Sequence, residues 1–405
     1  MNKVLYISLT GMTEPLGRSQ VLEYLIDLSK ENEIYLISFE RKTDLGLEDE
    51  IKQLIANHSI KWYFKIYSNK YGIATTIWQI LQVVYLGFQL IKKHNIKIIH
   101  ARSMIPATMG FILKKMYGIK LLFDIRGFAI DEKVDSGRLR KGSLLYKVLK
   151  KLDNFLYKTS DHIVTLTHSA KMILEEKLKI SHERITVIPT CANKNLFYVV
   201  DKSTQKKNRK ELGYDEKDKI IIHTGTVSGW YNFEAEVQLI KEMVKQDDNI
   251  HFLILNKKEH SFIKKITSQY RFPADKIKIT SSPFDEMYKY LNIADASIFF
   301  IKPSYSKQAS APTKFAENVA CHLPSITNIG VGDMEFYLKQ YNVGVLVDLS
   351  KLNDNLKDVA RKILEQLEHQ PFKKDDYQKL FNQHFDKDRA VQKYQVIYKQ
   401  LNVKK

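Results

Sequence analysis

The chain has little cysteine and too few acids to balance its bases, and both shortages narrow what it can do. Its two cysteines, Cys191 and Cys321, lie far apart and match no metal or redox spacing, which favours a reducing compartment. The glycine fingerprint of a nicotinamide dinucleotide fold, G-x-G-x-x-G, does not occur after the first strand pattern. RNP motifs, zinc fingers and basic zippers are absent, so the basic charge has no nucleic-acid reading module behind it. Short repeats, low-complexity tracts, Ser/His/Asp triads and metal-ligand clusters are not visible either. No long apolar run follows Lys3 and no cleavage site appears, so a signal peptide is not expected and the cytoplasm is.

What is present is a globular composition, 44% hydrophobic and 11% aromatic, in 405 residues, enough for two or three domains with cores of their own. The formal charge is +18, from 64 Lys and Arg against 46 Asp and Glu, which fits an anionic partner. Lys147, Lys150, Lys151 and Lys158 illustrate the distribution: lysines scattered over helical patterns, either a solvated face or a contact with an anionic membrane at its inner side. Residues 71–91 carry no charge and are nearly long enough to cross a bilayer. Ile73, Ile77, Leu81, Val84, Phe88 and Ile91 form one helical stripe, though, and Thr75, Gln79, Gln82 and Gln89 another. This predicts an amphipathic helix whose apolar stripe packs on its own domain, the alternative being contact with a membrane interface.

Strand patterns alternate with helices throughout. They fall at 4–10, 33–40, 61–67, 96–102, 120–124, 162–166 and 185–189, then at 220–225, 250–255, 277–280, 296–301, 325–328 and 344–347. Many are β-branched and nearly continuous in apolar residues, as in strands covered on both faces. The pattern predicts an α/β protein of two doubly wound parallel-sheet domains. The expected organisation is a first domain at 1–199, a polar linker at 200–216, a second domain at 217–383, and a C-terminal helix at 384–405.

The most specific stretch follows the strand pattern at 296–301: Ser310-Ala311-Pro312-Thr313-Lys314-Phe315-Ala316-Glu317. Ser310 reads as an N-cap and Pro312 as a first-turn residue. The helix start and Lys314 then present positive charge to an anion. Glu317, one turn on, has a carboxylate suited to vicinal hydroxyls. An ordinary capped helix with a surface Lys–Glu pair would give the same letters. Other strand ends carry candidates of their own. Gly11 and Gly17 lie in the loop after the first strand, where they would let backbone approach a ligand. His100 and Arg102 end the fourth. Asp124, Arg126 and Asp131 crowd the fifth, where Arg126 either bonds a sugar or phosphate or pairs with Asp124 or Asp131. Gly225, Thr226 and Trp230 follow the eighth. The lone D-x-D, Asp386-Lys387-Asp388, precedes the last helix and reads as a cap rather than a metal site.

Taken in order, these segments resemble the GT-B glycosyltransferases of family 4 (the "group 1" glycosyltransferases), in a branch with S-P-T-K-x-x-E at the helix start. Softer matches are Ile188-Pro189-Thr190, the Pro283–Leu291 region and Thr327-Asn328-Ile329-Gly330-Val331-Gly332-Asp333. The resemblance implies two Rossmann-like domains facing a cleft, with the C-terminal helix crossing back to the acceptor-side domain. It implies retaining transfer of a hexose-type sugar from a nucleotide-diphosphate sugar to a glycan or lipid-linked glycan in polysaccharide biosynthesis. No metal and no cofactor beyond the donor would be needed.

Carried over residue by residue, Lys314, Glu317, Asp124 and Arg126 would be catalytic. Gly17, Gly225, Thr226, Lys302, Ser310, Pro312, Thr313, Lys314 and Glu317 would hold the donor, and Arg102 and Asp131 would face the acceptor. The chain departs from the family at Ala309, normally glutamate, and at Thr226 and Trp230, near which an arginine and a lysine usually sit. Lys302, Lys307 or Lys314 would then compensate the diphosphate. Alternatives of the same fold are a sugar-nucleotide 2-epimerase and a non-catalytic nucleotide-sugar-binding assembly protein.

Overall fold

The computed structural model describes residues 1–403 except Leu45, Asn353, Gln370 and Pro371. Two compact units emerge. The first comprises Met1–Pro189 with Lys387–Lys405, and the second Thr190–Asp386.

In the first unit, β1 (Asn2–Ser8), β2 (Asn32–Glu40), β3 (Ile60–Ile66), β4 (Ile98–Arg102), β5 (Lys120–Asp124), β6 (His162–Thr165) and β7 (Ile185–Val187) form one parallel sheet. Its order is β3-β2-β1-β4-β5-β6-β7. The strands are apolar along almost their whole length because helices cover both faces; Val4, Leu5, Ile7, Ile98 and Ile99 are fully buried. The helix Lys387–Asn402 packs on β1, β4 and the helix Glu23–Leu28.

In the second unit, β8 (Lys219–Thr224), β9 (Ile250–Leu255), β10 (Ile277–Thr280), β11 (Ala296–Ile298), β12 (Ser325–Asn328) and β13 (Gly344–Val347) are ordered β10-β9-β8-β11-β12-β13, again all parallel. The order reverses between β1 and β4 in one sheet and between β8 and β11 in the other. Ligands of open α/β sheets enter at such points, beyond the strands' carboxyl ends.

Two expectations need correction. The boundary lies at Pro189/Thr190, and most of the charged run at 200–216 is not a linker. Asp201 caps a helix, Lys202–Glu211, by accepting from the Ser203 and Thr204 N–H groups, both at 2.9 Å. Arg209 then ties that helix to Ile293 O (2.9 Å) and the Asp295 carboxylate (2.5 Å). The second correction concerns the helix Ile73–His94. Of the stripe expected to pack, Ile73, Ile77 and Leu81 are 66%, 53% and 55% exposed, Val84 and Phe88 are half-buried and Ile91 alone is buried, alongside Gln79, Val83, Gly87 and Leu90. Gly87 decides the face. A Cβ there would lie 2.6 Å from Leu113, so this helix approaches its neighbour Met104–Tyr117 along the side that has no side chain.

Candidate active site

In the second unit the site starts from β8. Its last turn needs a left-handed residue, supplied by Gly225 at φ +84°. The Gly225 N–H donates to Leu255 O (2.8 Å), and its carbonyl accepts from Asn256 Nδ2 (2.9 Å). Glu259 fixes the rest of the loop, accepting from the Val227 N–H at 3.0 Å and from the Ser228 hydroxyl. Beyond β11, Ile301 bridges to Tyr231 in antiparallel fashion and exchanges hydrogen bonds with the Asn328 side chain at 2.8 and 2.9 Å. Lys302 is exposed; its N–H donates to Trp230 O (2.9 Å) and its ammonium to Gly229 O (3.3 Å). Lys307, buried, lies 3.7 Å from the centre of the Trp230 ring, a close cation–π contact.

The helix spans Thr313–Ala320, and Pro312, not Ser310, occupies its cap. Ser310 instead closes the preceding 3₁₀ turn, Ser306–Ala309, by donating its N–H to Lys307 O at 3.1 Å. No side chain caps the helix start.

Lys314 and Glu317 are not a surface pair. They are 7% and 6% exposed, and among the described residues no ion pair joins them. Lys314 Nζ lies 4.0 Å from the centre of the Tyr231 ring and 3.4 Å from His223 Nε2. His223 Nδ1 in turn lies 2.6 Å from Glu236 Oε2, whose other oxygen accepts from the Phe300 N–H at 2.8 Å. Burial pushes the Lys314 ammonium down to about 8 despite Glu236, Glu317 and Glu259 nearby. Burial likewise pushes Glu317 up to about 7, with Lys314 only partly opposing it. Burial thus weakens the charge on both groups.

The first unit arranges its strand ends differently. Asp124, 2% exposed, lies 3.5 Å from Arg126 and 3.5 Å from His100 Nε2, and accepts from the Tyr394 hydroxyl at 3.3 Å. His100 Nδ1 meets the Tyr398 hydroxyl at 2.7 Å. Burial would raise the Asp124 carboxyl, but Arg126, His100 and Arg102 together hold it well below the usual carboxylate range. Asp131 pairs with Lys150 (2.6 Å) instead of Arg126. A Cβ at Gly17 would sit 1.8 Å from the Gly11 carbonyl, so the lack of a side chain there serves the loop's own packing. Glu40 holds that loop, accepting from the Met12 and Thr13 N–H groups at 2.9 and 3.0 Å. Asp386 of the D-x-D faces Lys194 at 3.4 Å, and no group of three or more metal-ligating side chains occurs among the described residues.

Two family signatures divide the chain along the same lines. Glycosyltransferase Family 4 matches residues 21–196 and Glycosyl transferases group 1 matches residues 204–379. The chain belongs to the family 4 glycosyltransferases. A curated relative, the probable glycosyltransferase WbjE of Pseudomonas aeruginosa, is 22% identical over 130 residues, a match spanning 32% of either chain. Two solved structures share the whole fold. Sucrose-phosphate synthase of Thermosynechococcus elongatus is 14% identical with a TM-score of 0.72 over 99% of both chains. Anabaena HepE, solved with UDP and glucose, is 15% identical with a TM-score of 0.70, over 99% of this chain and 100% of that one. Both units thus form the GT-B pair of Rossmann-like domains.

Within this glycosyltransferase the structure gathers Gly225, Thr226, Lys302, Thr313, Lys314 and Glu317 at the β8–β11 reversal. Asp124, Arg126 and Arg102 gather at the β1–β4 reversal and β5, whereas Asp131 stands apart with Lys150. Residues given no role in the sequence reading are His223, Glu236 and Glu259. Glu236 left a trace: it sits on the apolar face of its helix with Phe233, Val237 and Ile240, where an unpaired acid would be costly.

Proposed function

We propose that this glycosyltransferase moves a sugar from a nucleotide diphosphate to a glycan or lipid-linked glycan with retention and without a metal, in polysaccharide synthesis. One observation carries the reading: Lys314 and Glu317 are buried one turn apart at an uncapped helix start, unpaired with each other. A leaving diphosphate would accept from the helix N–H groups and from the ammonium, which stabilises charge developing as the bond breaks. Ribose hydroxyls would donate to the Glu317 carboxylate. Lys302 and Lys307 would supply the cations for which Thr226 and Trp230 leave no other source. In the transfer step the sugar–phosphate C–O bond breaks and the acceptor oxygen bonds the same face of the carbon. The acceptor's proton goes to the departing phosphate oxygen. UDP bound to HepE favours a uridine donor as the first trial.

We also propose that the enzyme works against an anionic membrane at the inner face of the cell. The exposed row Tyr71, Ile73, Ile77, Trp78, Leu81 and Tyr85 offers apolar and amphipathic rings, and the +18 surplus supplies the attraction. The deciding experiment screens nucleotide-diphosphate sugars by thermal shift and follows the best of them for turnover with acceptor in EDTA. Stabilisation by one donor and acceptor-dependent release of nucleotide in chelator are expected. Turnover without acceptor would mean epimerisation, and binding without turnover an assembly protein.

A further inference from the structure

In the first unit two guanidinium groups face a single carboxylate. Tyr6 of β1, His100 and Arg102 of β4, Asp124 of β5 and Arg126 just beyond it converge at the sheet reversal, with Tyr24, Tyr394 and Tyr398 packed around them. Asp124 is already engaged by Arg126, His100 and Tyr394. His100 adds no lasting charge, because burial lowers its pKa. Arg102 is 6% exposed, and its Nε–H, shut off from solvent, has no hydrogen-bond partner. Arg126 lies alongside with its side chain 15% exposed, so the cluster opens toward solvent on that side. A buried guanidinium N–H left without an acceptor is costly, and the usual remedy is a bidentate oxyanion.

We infer that Arg102 and Arg126 form a binding site for an oxyanion, a phosphoryl or carboxylate group carried by the acceptor. The word acceptor rests on the proposed function; the anion site itself rests on the arginines. Arg102 would donate through Nε and a neighbouring N–H in the planar fork that suits such groups. Asp124, engaged by three neighbours, would keep Arg126 in place and remain unavailable as a base. An acceptor of this kind is a phosphorylated lipid-linked glycan or an acidic sugar, and the same two side chains would read either.

The test uses the full chain with the second unit saturated by its best-binding nucleotide diphosphate, so that a donor-phosphate site cannot answer. Inorganic phosphate and glucuronate are then titrated separately by calorimetry. Binding of either, weakened at least tenfold in Arg102→Met, is expected. A stronger response to phosphate identifies a phosphorylated acceptor, and a stronger response to glucuronate an acidic sugar. Arg102→Met should also melt at the same temperature as the parent or higher without ligand, since it removes a buried donor that has no acceptor. No response to either probe in the parent would overturn the inference. So would an Arg102→Met that melts lower while binding both probes unchanged. Should Arg102→Met not fold, Arg126→Met gives the same readout at a partly exposed position. Nucleotide affinity, measured in the same titrations, should not change in either variant. A parent that binds no nucleotide would refute the donor reading alone, since the loss of anion binding in Arg102→Met would still report on the arginine pair.

Discussion

The two clusters at the sheet reversals are equally buried and oppositely wired. In the first unit Asp124 is in contact with Arg126, His100 and Tyr394, and its charge is strongly favoured. In the second, Lys314 and Glu317 share a helix face yet do not pair, and burial drives each toward its neutral form. A carboxylate with a cation beside it and a hydroxyl donating to it holds structure together. Here Asp124 anchors the C-terminal helix through Tyr394. A lysine and a glutamate left short of partners are stabilised only when something else arrives. Burial alone therefore does not mark a functional acid or base; the missing partner does.

The largest effect should come from cutting the wired cluster. Asp124→Ala leaves Arg126 without its carboxylate and should cost about 3–5 kcal/mol, the usual result of removing one member of a buried pair. Denaturant unfolding measures it, and a loss below about 1 kcal/mol would remove the distinction from the second cluster.

Glu317→Gln should behave in the opposite sense. With its folded pKa raised from 4.5 to about 7, Glu317 binds a proton in the native state when the unfolded chain does not. Its burial penalty thus appears as pH rises between those values and is fully present above about 7. The variant should be more stable than the parent above that range, by up to about 3 kcal/mol, and equal to it in acid. Its affinity for nucleotide diphosphate should nonetheless fall by about 1.5–3 kcal/mol, the scale of a charged hydrogen bond. Thermal melts across pH, with calorimetry alongside, separate the two effects.

The smallest effect concerns the exposed helix face. Trp78→Ser should leave stability within about 0.5 kcal/mol. It should weaken binding to anionic vesicles, and added salt should weaken binding in the parent as charges are screened. Equal sedimentation of the parent with neutral and anionic vesicles would remove the electrostatic part of the membrane proposal.

How much of this was legible in the sequence follows from which forces act locally. Both sheets were readable because fully covered strands leave runs such as Ile220-Ile221-Ile222, and alternation with helices implies parallel pairing. Spacing put Lys314 and Glu317 on one helix face. It did not say that the face is covered, because Tyr231, Phe299 and His223 arrive from segments distant in sequence. The same gap misled the reading of the helix Ile73–His94, where a single glycine's approach to Leu113 outweighs the more apolar stripe. At 200–216 polarity suggested a linker, but Asp201's capping bonds are local chemistry that the letters D-K-S-T already held. Gly17 pointed to a close approach, and one exists to the Gly11 carbonyl.

The central claim is that Lys314 awaits a diphosphate. With its pKa lowered to about 8, the ammonium should be roughly half deprotonated at that pH in the free enzyme, and a bound diphosphate should return the proton. Calorimetric titration with the best-binding nucleotide diphosphate, repeated near that pH in two buffers of different ionisation enthalpy, reads this directly. Uptake of roughly half a proton per nucleotide bound is expected in the parent. Lys314→Met should lose the uptake, bind at least tenfold more weakly, and melt no lower than the parent without ligand. Unchanged affinity and unchanged proton uptake in a folded Lys314→Met would contradict the account, because the diphosphate would then be held elsewhere.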